Sequence, residues 1–117
     1  MIKAIAGAAL LSVSPSAQAA ATSIDQAQAL YDVCVQSSDT ASSICETYIR
    51  GVLHGMSAGN VYDWFCLPSQ VAGKELKSKV VRFLADHPEQ RKRASASAIT
   101  AALTAYFPCP PSSRFKR

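Results

Sequence analysis

The chain has 117 residues and a mass of 12.4 kDa, which is enough for one small domain and excludes a multi-domain enzyme. The net charge is +4, but Lys3, Arg114, Lys116 and Arg117 lie at the two ends, so the eight remaining basic residues balance the eight acidic ones. A nucleic-acid binder needs several cations on one face, so this distribution argues against nucleic acid as a partner.

Residues 1–19 are typical of a secretory signal peptide. Lys3 precedes an apolar run from Ala4 to Val13, and the small-residue pattern Ala17-Gln18-Ala19 follows it. The run is about half as long as a membrane-spanning helix requires, so we expect export without stable membrane insertion. The alternative is a buried helix of the mature fold. We therefore predict a periplasmic protein with a signal peptide (1–19), one helical domain (20–111) and a basic tail (112–117).

The first helix is predicted over about Ser23 to Val35. Apolar residues recur there at the spacing of one helix face, namely Ala27, Leu30, Tyr31 and Cys34. The polar stretch from Gln36 to Ser42 is expected to end this helix and separate it from the next.

A second helix is predicted from Ser43 to about Ala58. Ser43 and Glu46 match the capping box that opens a helix, and apolar positions continue at helical spacing after them. The helix carries glycine at steps of four, each of which costs up to about 1 kcal/mol relative to alanine. We expect these glycines to form a flat stripe on which another helix packs closely: Gly51, Gly55 and Gly59.

The third and fourth helices are predicted over about Ala72 to Asp86 and Ser95 to Phe107. The third has basic residues on its outer side, Lys74, Lys77 and Arg82. His87-Pro88 ends it, because the residue before proline avoids the helical region. No segment alternates with a period of two, so the prediction is an all-α bundle of four helices.

Four cysteines in an exported chain predict two disulfides. Three pairings are open. We favour Cys34 with Cys45, which would clamp the first two helices, and Cys66 with Cys109, which would tie the aromatic loop to the end of the fourth helix. The histidines His54 and His87 lie at no zinc spacing from the cysteines, so we expect neither a metal nor another cofactor.

No catalytic constellation is visible in the sequence. Motifs for a nucleophile elbow, a metalloprotease helix or a phosphate loop are missing, and His54 has no acid at the neighbouring helical positions to orient it. His87 precedes Pro88 and is better interpreted as an N-cap-like residue of the turn that follows. These observations predict a binding protein and not an enzyme.

The segment from Gly59 to Pro68 is the candidate binding loop, because it holds three aromatic residues among turn formers. These rings can also simply plug the end of the bundle. We assign Phe65 to the core and predict that a partner contacts the rest of the loop: Asn60, Val61, Tyr62, Asp63 and Trp64. Arg50 and His54, on the polar side of the second helix, are further candidates, with the basic face of the third helix as an alternative.

The ordered motifs resemble the Rap/Tai family of type VI secretion immunity proteins. They are Cys45-x-x-Tyr48-Ile49-x-Gly51-Val52, Phe65-Cys66-Leu67-Pro68, Val80-Val81-x-Phe83-Leu84, His87-Pro88-Glu89 and Phe107-Pro108-Cys109. The resemblance implies a small, helical, disulfide-bonded periplasmic protein. It also implies a peptidoglycan amidase effector as the partner, a loop inserted into that enzyme's cleft, and a homodimer. Ala72 and Gly73 depart from the pattern, since a Ser or Thr cap is expected there.

A second functional class remains open, a periplasmic stress chaperone of the HdeA-like kind, which is also small, helical and disulfide-bonded. An acid-activated chaperone should carry many groups that titrate at low pH. Eight carboxylates and two histidines are a small supply, so the sequence favours the immunity protein.

Overall fold

The computed structural model describes residues 23–59 and 64–111. The predicted signal peptide (1–19), the loop residues 60–63 and the basic tail (112–117) therefore lie outside the described residues. Four α-helices are present, which confirms the predicted all-α fold: α1 (Ala27–Cys34), α2 (Asp39–Ala58), α3 (Gly73–Asp86) and α4 (Ser95–Tyr106). A short 3₁₀ helix, Pro88–Lys92, connects α3 to α4.

One hydrophobic core joins all four helices. In α3 the buried residues Leu76, Val80 and Leu84 stand four positions apart, so they form one continuous stripe along the helix. The stripe packs against buried residues of the other helices, including Leu30, Cys45, Ile49, Ile99 and Leu103. Full burial of one such aliphatic side chain stabilises the fold by about 1.5 to 3 kcal/mol, so this core is the main source of stability.

The first helix is shorter than predicted, because residues 23–26 pair with the start of α4 instead of forming a helical turn. The Ala27 N–H donates to the Arg93 carbonyl over 2.9 Å, and the Ser95 N–H donates to the Asp25 carbonyl over 2.6 Å. The fully buried Ser95 hydroxyl donates to the Ile24 carbonyl. These bonds fasten residues 23–26 to α4.

Tyr48 of α2 adds a side-chain contact to this attachment. Its hydroxyl donates a hydrogen bond to Asp25 Oδ1 over 2.8 Å. Partial burial of the phenol, together with the bond to the Asp25 carboxylate, raises the pKa of Tyr48 above its ordinary value of 10.0. The hydroxyl therefore keeps its proton, and remains a donor, throughout the physiological pH range.

The predicted start of the second helix was wrong. Helix α2 begins at Asp39, and Ser38 is its N-cap, with the Ser38 hydroxyl accepting from the Ala41 N–H over 3.1 Å. Asp39 in the first turn adds a negative charge where the helix dipole favours one. The capping box at Ser43 is therefore not used as a cap, and polar residues that looked like a loop form the first turn.

The glycines of α2 do not provide the predicted packing surface. A Cβ atom built on Gly51 or Gly55 would meet nothing within 4 Å, and both residues are exposed. The buried stripe of α2 runs through Ala41, Cys45 and Ile49. Since each residue turns the helix by about 100°, Gly51 lies on the side opposite Ile49. No helix within the described residues packs on this glycine face.

Helix α3 begins without a side-chain cap from its own N-cap residue, Ala72. Glu46 of α2 lies there instead: its Oε1 is 2.5 Å from the position that a Cβ on Gly73 would occupy. The Glu46 carboxylate also accepts a hydrogen bond from the Ser42 hydroxyl over 3.0 Å. A carboxylate beside a helix N-terminus is favourable, so Glu46 compensates for the absent cap, and Gly73 leaves room for it.

We expect Gly73→Ala to change the free energy of unfolding by less than about 0.5 kcal/mol, because displacement of the Glu46 carboxylate from the helix N-terminus offsets the helix propensity that alanine adds. In a Glu46→Ala background the same change should stabilise the protein by about 0.5 to 1 kcal/mol, since alanine favours a helix over glycine and no carboxylate is displaced. Urea denaturation of the four proteins of this cycle measures the difference. Equal effects in both backgrounds would contradict the role of Glu46.

Both predicted disulfides are present. Cys34 at the end of α1 is bonded to Cys45 of α2, with 5.2 Å between their Cα atoms. Cys66 is bonded to Cys109, with a Cα separation of 4.9 Å. The first bridge clamps the α1–α2 hairpin, and the second ties the segment that follows the candidate loop to the chain beyond α4.

Candidate partner-binding surface

Trp64 is exposed and Phe65 is buried, as predicted. The Trp64 side chain is 63% exposed, whereas Phe65 is only 4% exposed and belongs to the core. The other predicted loop residues lie outside the described residues: Asn60, Val61, Tyr62 and Asp63. A role for Trp64 in binding stays a prediction, but an exposed indole is the kind of group that anchors protein interfaces.

The backbone that carries Trp64 is held at several points. Phe65 is buried, the Cys66 N–H donates to the Phe107 carbonyl over 2.8 Å, and Cys66 is covalently bonded to Cys109. A partner that binds Trp64 therefore meets a backbone that is already ordered on its C-terminal side. This order reduces the conformational entropy that binding would otherwise cost.

Arg50 and His54 lie on a different part of the surface. They are exposed on α2 and line a groove with Leu53 and residues 67–72. The Arg50 guanidinium donates to the Val71 carbonyl over 3.2 Å, so part of its hydrogen-bonding capacity holds this segment against α2. His54 is thus the more available of the two polar groups.

The basic residues of α3 line a second groove. Lys74, Lys77 and Arg82 line it together with the end of α1, where Val35 is 50% exposed. Lys77 Nζ donates to the Ser42 hydroxyl over 2.9 Å, which fixes one of the three cations against α2. This face can attract an acidic partner, and it shares no lining residue with the groove of Arg50 and His54.

The structure does not bring Trp64 together with Arg50 and His54. Trp64 lines a groove with Met56 and the outward face of α4, and neither Arg50 nor His54 contributes to it. The outward face of α4 was not among the binding surfaces predicted from the sequence. A signal was present, because the outward positions are all small: Ala96, Ser97, Thr100, Ala101, Thr104 and Ala105.

His87 packs against the end of α3. Its ring stacks on Phe83 with 4.3 Å between the ring centroids, and its Nδ1 lies 2.9 Å from the Phe83 carbonyl oxygen. It stands between α3 and the 3₁₀ helix, as the sequence predicts. Within residues 23–59 and 64–111, no group of three or more His, Cys, Asp or Glu side chains is placed to hold a metal ion.

A comparison with protein families indicates which kind of protein carries these surfaces. A family model described as Rap1a immunity proteins matches residues 26–109. The chain belongs to this family. The match begins at Gln26, which pairs with Ala94, and ends at Cys109, so it covers all four helices and both disulfides. It confirms the resemblance found in the sequence motifs.

Membership in the Rap1a immunity family implies that the functional site is a surface that binds a protein effector. The exposed Trp64 and the three grooves are therefore the candidates for that contact. No curated protein and no solved structure matches the chain. Among the helices of the described residues, none is both long enough and apolar enough to cross a membrane.

Proposed function

We propose that this protein is a periplasmic immunity protein that binds a peptidoglycan amidase effector of the type VI secretion system and occludes its active site. The family match over residues 26–109 carries this proposal. The amidase is the partner implied by the resemblance to the Rap/Tai proteins. The protein acts as a stoichiometric inhibitor, because occlusion requires contact area and no turnover.

The inhibitory element is the loop that ends at Trp64. Support comes from the exposure of the Trp64 ring and from the anchored backbone that follows it through Phe65 and Cys66. Residues 60–63 precede this ring and complete the loop that enters the enzyme's cleft. Arg50 and His54 form an additional polar contact face on α2.

The proposed compartment is the periplasm, where the peptidoglycan substrate of an amidase lies. The signal peptide at residues 1–19 provides the export, and the mature domain begins at Ala20. Two disulfides in a domain of this size suit an oxidising compartment. A homodimer, as the family resemblance implies, is part of the same proposal, and residues 112–117 are a basic tail of the mature chain.

Inhibition of purified amidase tests this proposal directly. The protein without residues 1–19 should release no peptide from peptidoglycan, and it should abolish amidase activity when the two proteins reach equal molar amounts. Size-exclusion chromatography should show a stable complex. The proposal would be overturned if every amidase effector of the producing cell stayed fully toxic in cells that make this protein and no complex formed.

A further inference from the structure

The outward face of α4 forms a shallow groove with Trp64 that has no role so far. The groove has a volume of about 740 Å³, and Met56 and Arg93 complete its lining. Among the described residues that line it, Arg93 is the only charged one. The Arg93 side chain donates to Gln90 Oε1 over 3.1 Å, which holds the cation at the end of the groove where α4 begins.

The two threonine hydroxyls on this face bond to the helix backbone. Thr100 Oγ1 donates to the Ala96 carbonyl over 2.8 Å, and Thr104 Oγ1 donates to the Thr100 carbonyl over 2.7 Å. Because both threonine hydroxyls are satisfied by the backbone, the face presents mainly methyl groups, and the Ser97 hydroxyl is the remaining polar group of α4 side chains on it. The result is a flat, largely apolar surface between a cation and an exposed indole.

The size of a stable interface connects this face to Trp64. A specific complex buries about 800 Å² on each partner, whereas a single aromatic side chain supplies about 150 to 250 Å². A partner that covers Trp64 must therefore extend over adjacent surface. The α4 face lines the same groove as Trp64, whereas Trp64 does not line the groove of Arg50 and His54.

We propose that the outward face of α4 is the second half of the effector-binding surface and receives an apolar segment of the effector with an acidic group opposite Arg93. This inference rests on the proposed function, because it takes the effector as the occupant. The small side chains allow a ridge of the effector to approach the helix closely, and the carboxylate compensates for the desolvation of the Arg93 guanidinium.

A matched pair of substitutions tests the contact. Ala105 and Ala85 are exposed and are each the penultimate residue of a helix, α4 and α3 respectively, but only Ala105 lines the groove. For binding to the purified amidase that the wild-type protein inhibits, Ala105→Lys should raise Kd about 30-fold or more. Ala85→Lys should leave Kd within about twofold, because a surface change away from the contact has little effect. Equal affinities for the two variants would overturn the inference.

Photocrosslinking identifies the occupant independently of enzyme class. A benzophenone side chain is placed at Ala105, Ala85 or His54 in cells that carry the secretion system, and mass spectrometry identifies the captured protein. Capture of a type VI effector at Ala105 and not at Ala85 supports the inference, and an effector that is no amidase would contradict only the proposed function. Capture of a second copy of this chain at Ala105, or of the effector at His54 alone, would overturn the inference. Failure to capture an effector at any position would overturn both.

Discussion

Replacing Trp64 with alanine is expected to weaken the complex with the effector by about 2 kcal/mol or more, which corresponds to roughly a 30-fold higher Kd. The reason is the position of the ring. The side chain is 63% exposed in the free protein, so it can lose its water shell only when a partner covers it. Calorimetric titration of the purified amidase measures the change. The melting temperature should stay close to that of the wild-type protein, because the ring contributes little to the core.

Two further variants separate binding from stability. Phe65→Ala should lower the free energy of unfolding by about 3 to 5 kcal/mol, because this neighbouring ring is buried in the core. Ile44→Ala removes another exposed apolar side chain, on α2 and outside all three grooves, and should change neither affinity nor stability. An unchanged Kd for Trp64→Ala would exclude this ring as an anchor. The Arg50 and His54 face, or the basic face of α3, would then be the candidate contact.

Removing the Cys66–Cys109 bridge should destabilise the protein by about 4 kcal/mol, and removing the Cys34–Cys45 bridge by about 3 kcal/mol, in the chain-entropy model. The difference follows from loop length, since the bridged residues are 43 positions apart in the first case and 11 in the second. Small domains have total stabilities of about 5 to 15 kcal/mol, so either loss is a large fraction of the total.

The substitutions must respect the environment of each cysteine. Cys34, Cys45 and Cys109 are buried and only Cys66 is exposed, so each bridge is best removed by replacing both of its cysteines with alanine. Urea denaturation gives the free energies of unfolding. If removal of the Cys34–Cys45 bridge lowered the free energy of unfolding more, native-state contacts at the α1–α2 hairpin and not loop entropy would account for the stabilisation.

The sequence determined those features that depend on local pattern. Apolar spacing located all four helices and the buried stripe of α3, because a helix repeats its faces at a fixed angle. Among three open disulfide pairings the sequence favoured the observed one, since Cys34 and Cys45 lie near the facing ends of the first two helices, Cys66 ends the aromatic loop and Cys109 follows the fourth helix. The opposite placement of Trp64 and Phe65 was also predictable, because an aromatic residue beside a bridged cysteine is well placed to enter the core.

Tertiary structure decided what depends on neighbours that are distant in the chain. Residues 23–26 leave the helical pattern because α4 offers hydrogen-bond partners, such as Ser95 for the Ile24 carbonyl. The start of α3 has no side-chain cap of its own because its N-cap residue is Ala72, and the Glu46 carboxylate of α2 lies there instead. The α2 glycines face open space, although their spacing suggested a packing surface. A local pattern shows which residues are apolar or small. Only the packed helices decide which of those faces is covered and which, like the outward face of α4, lines an open groove.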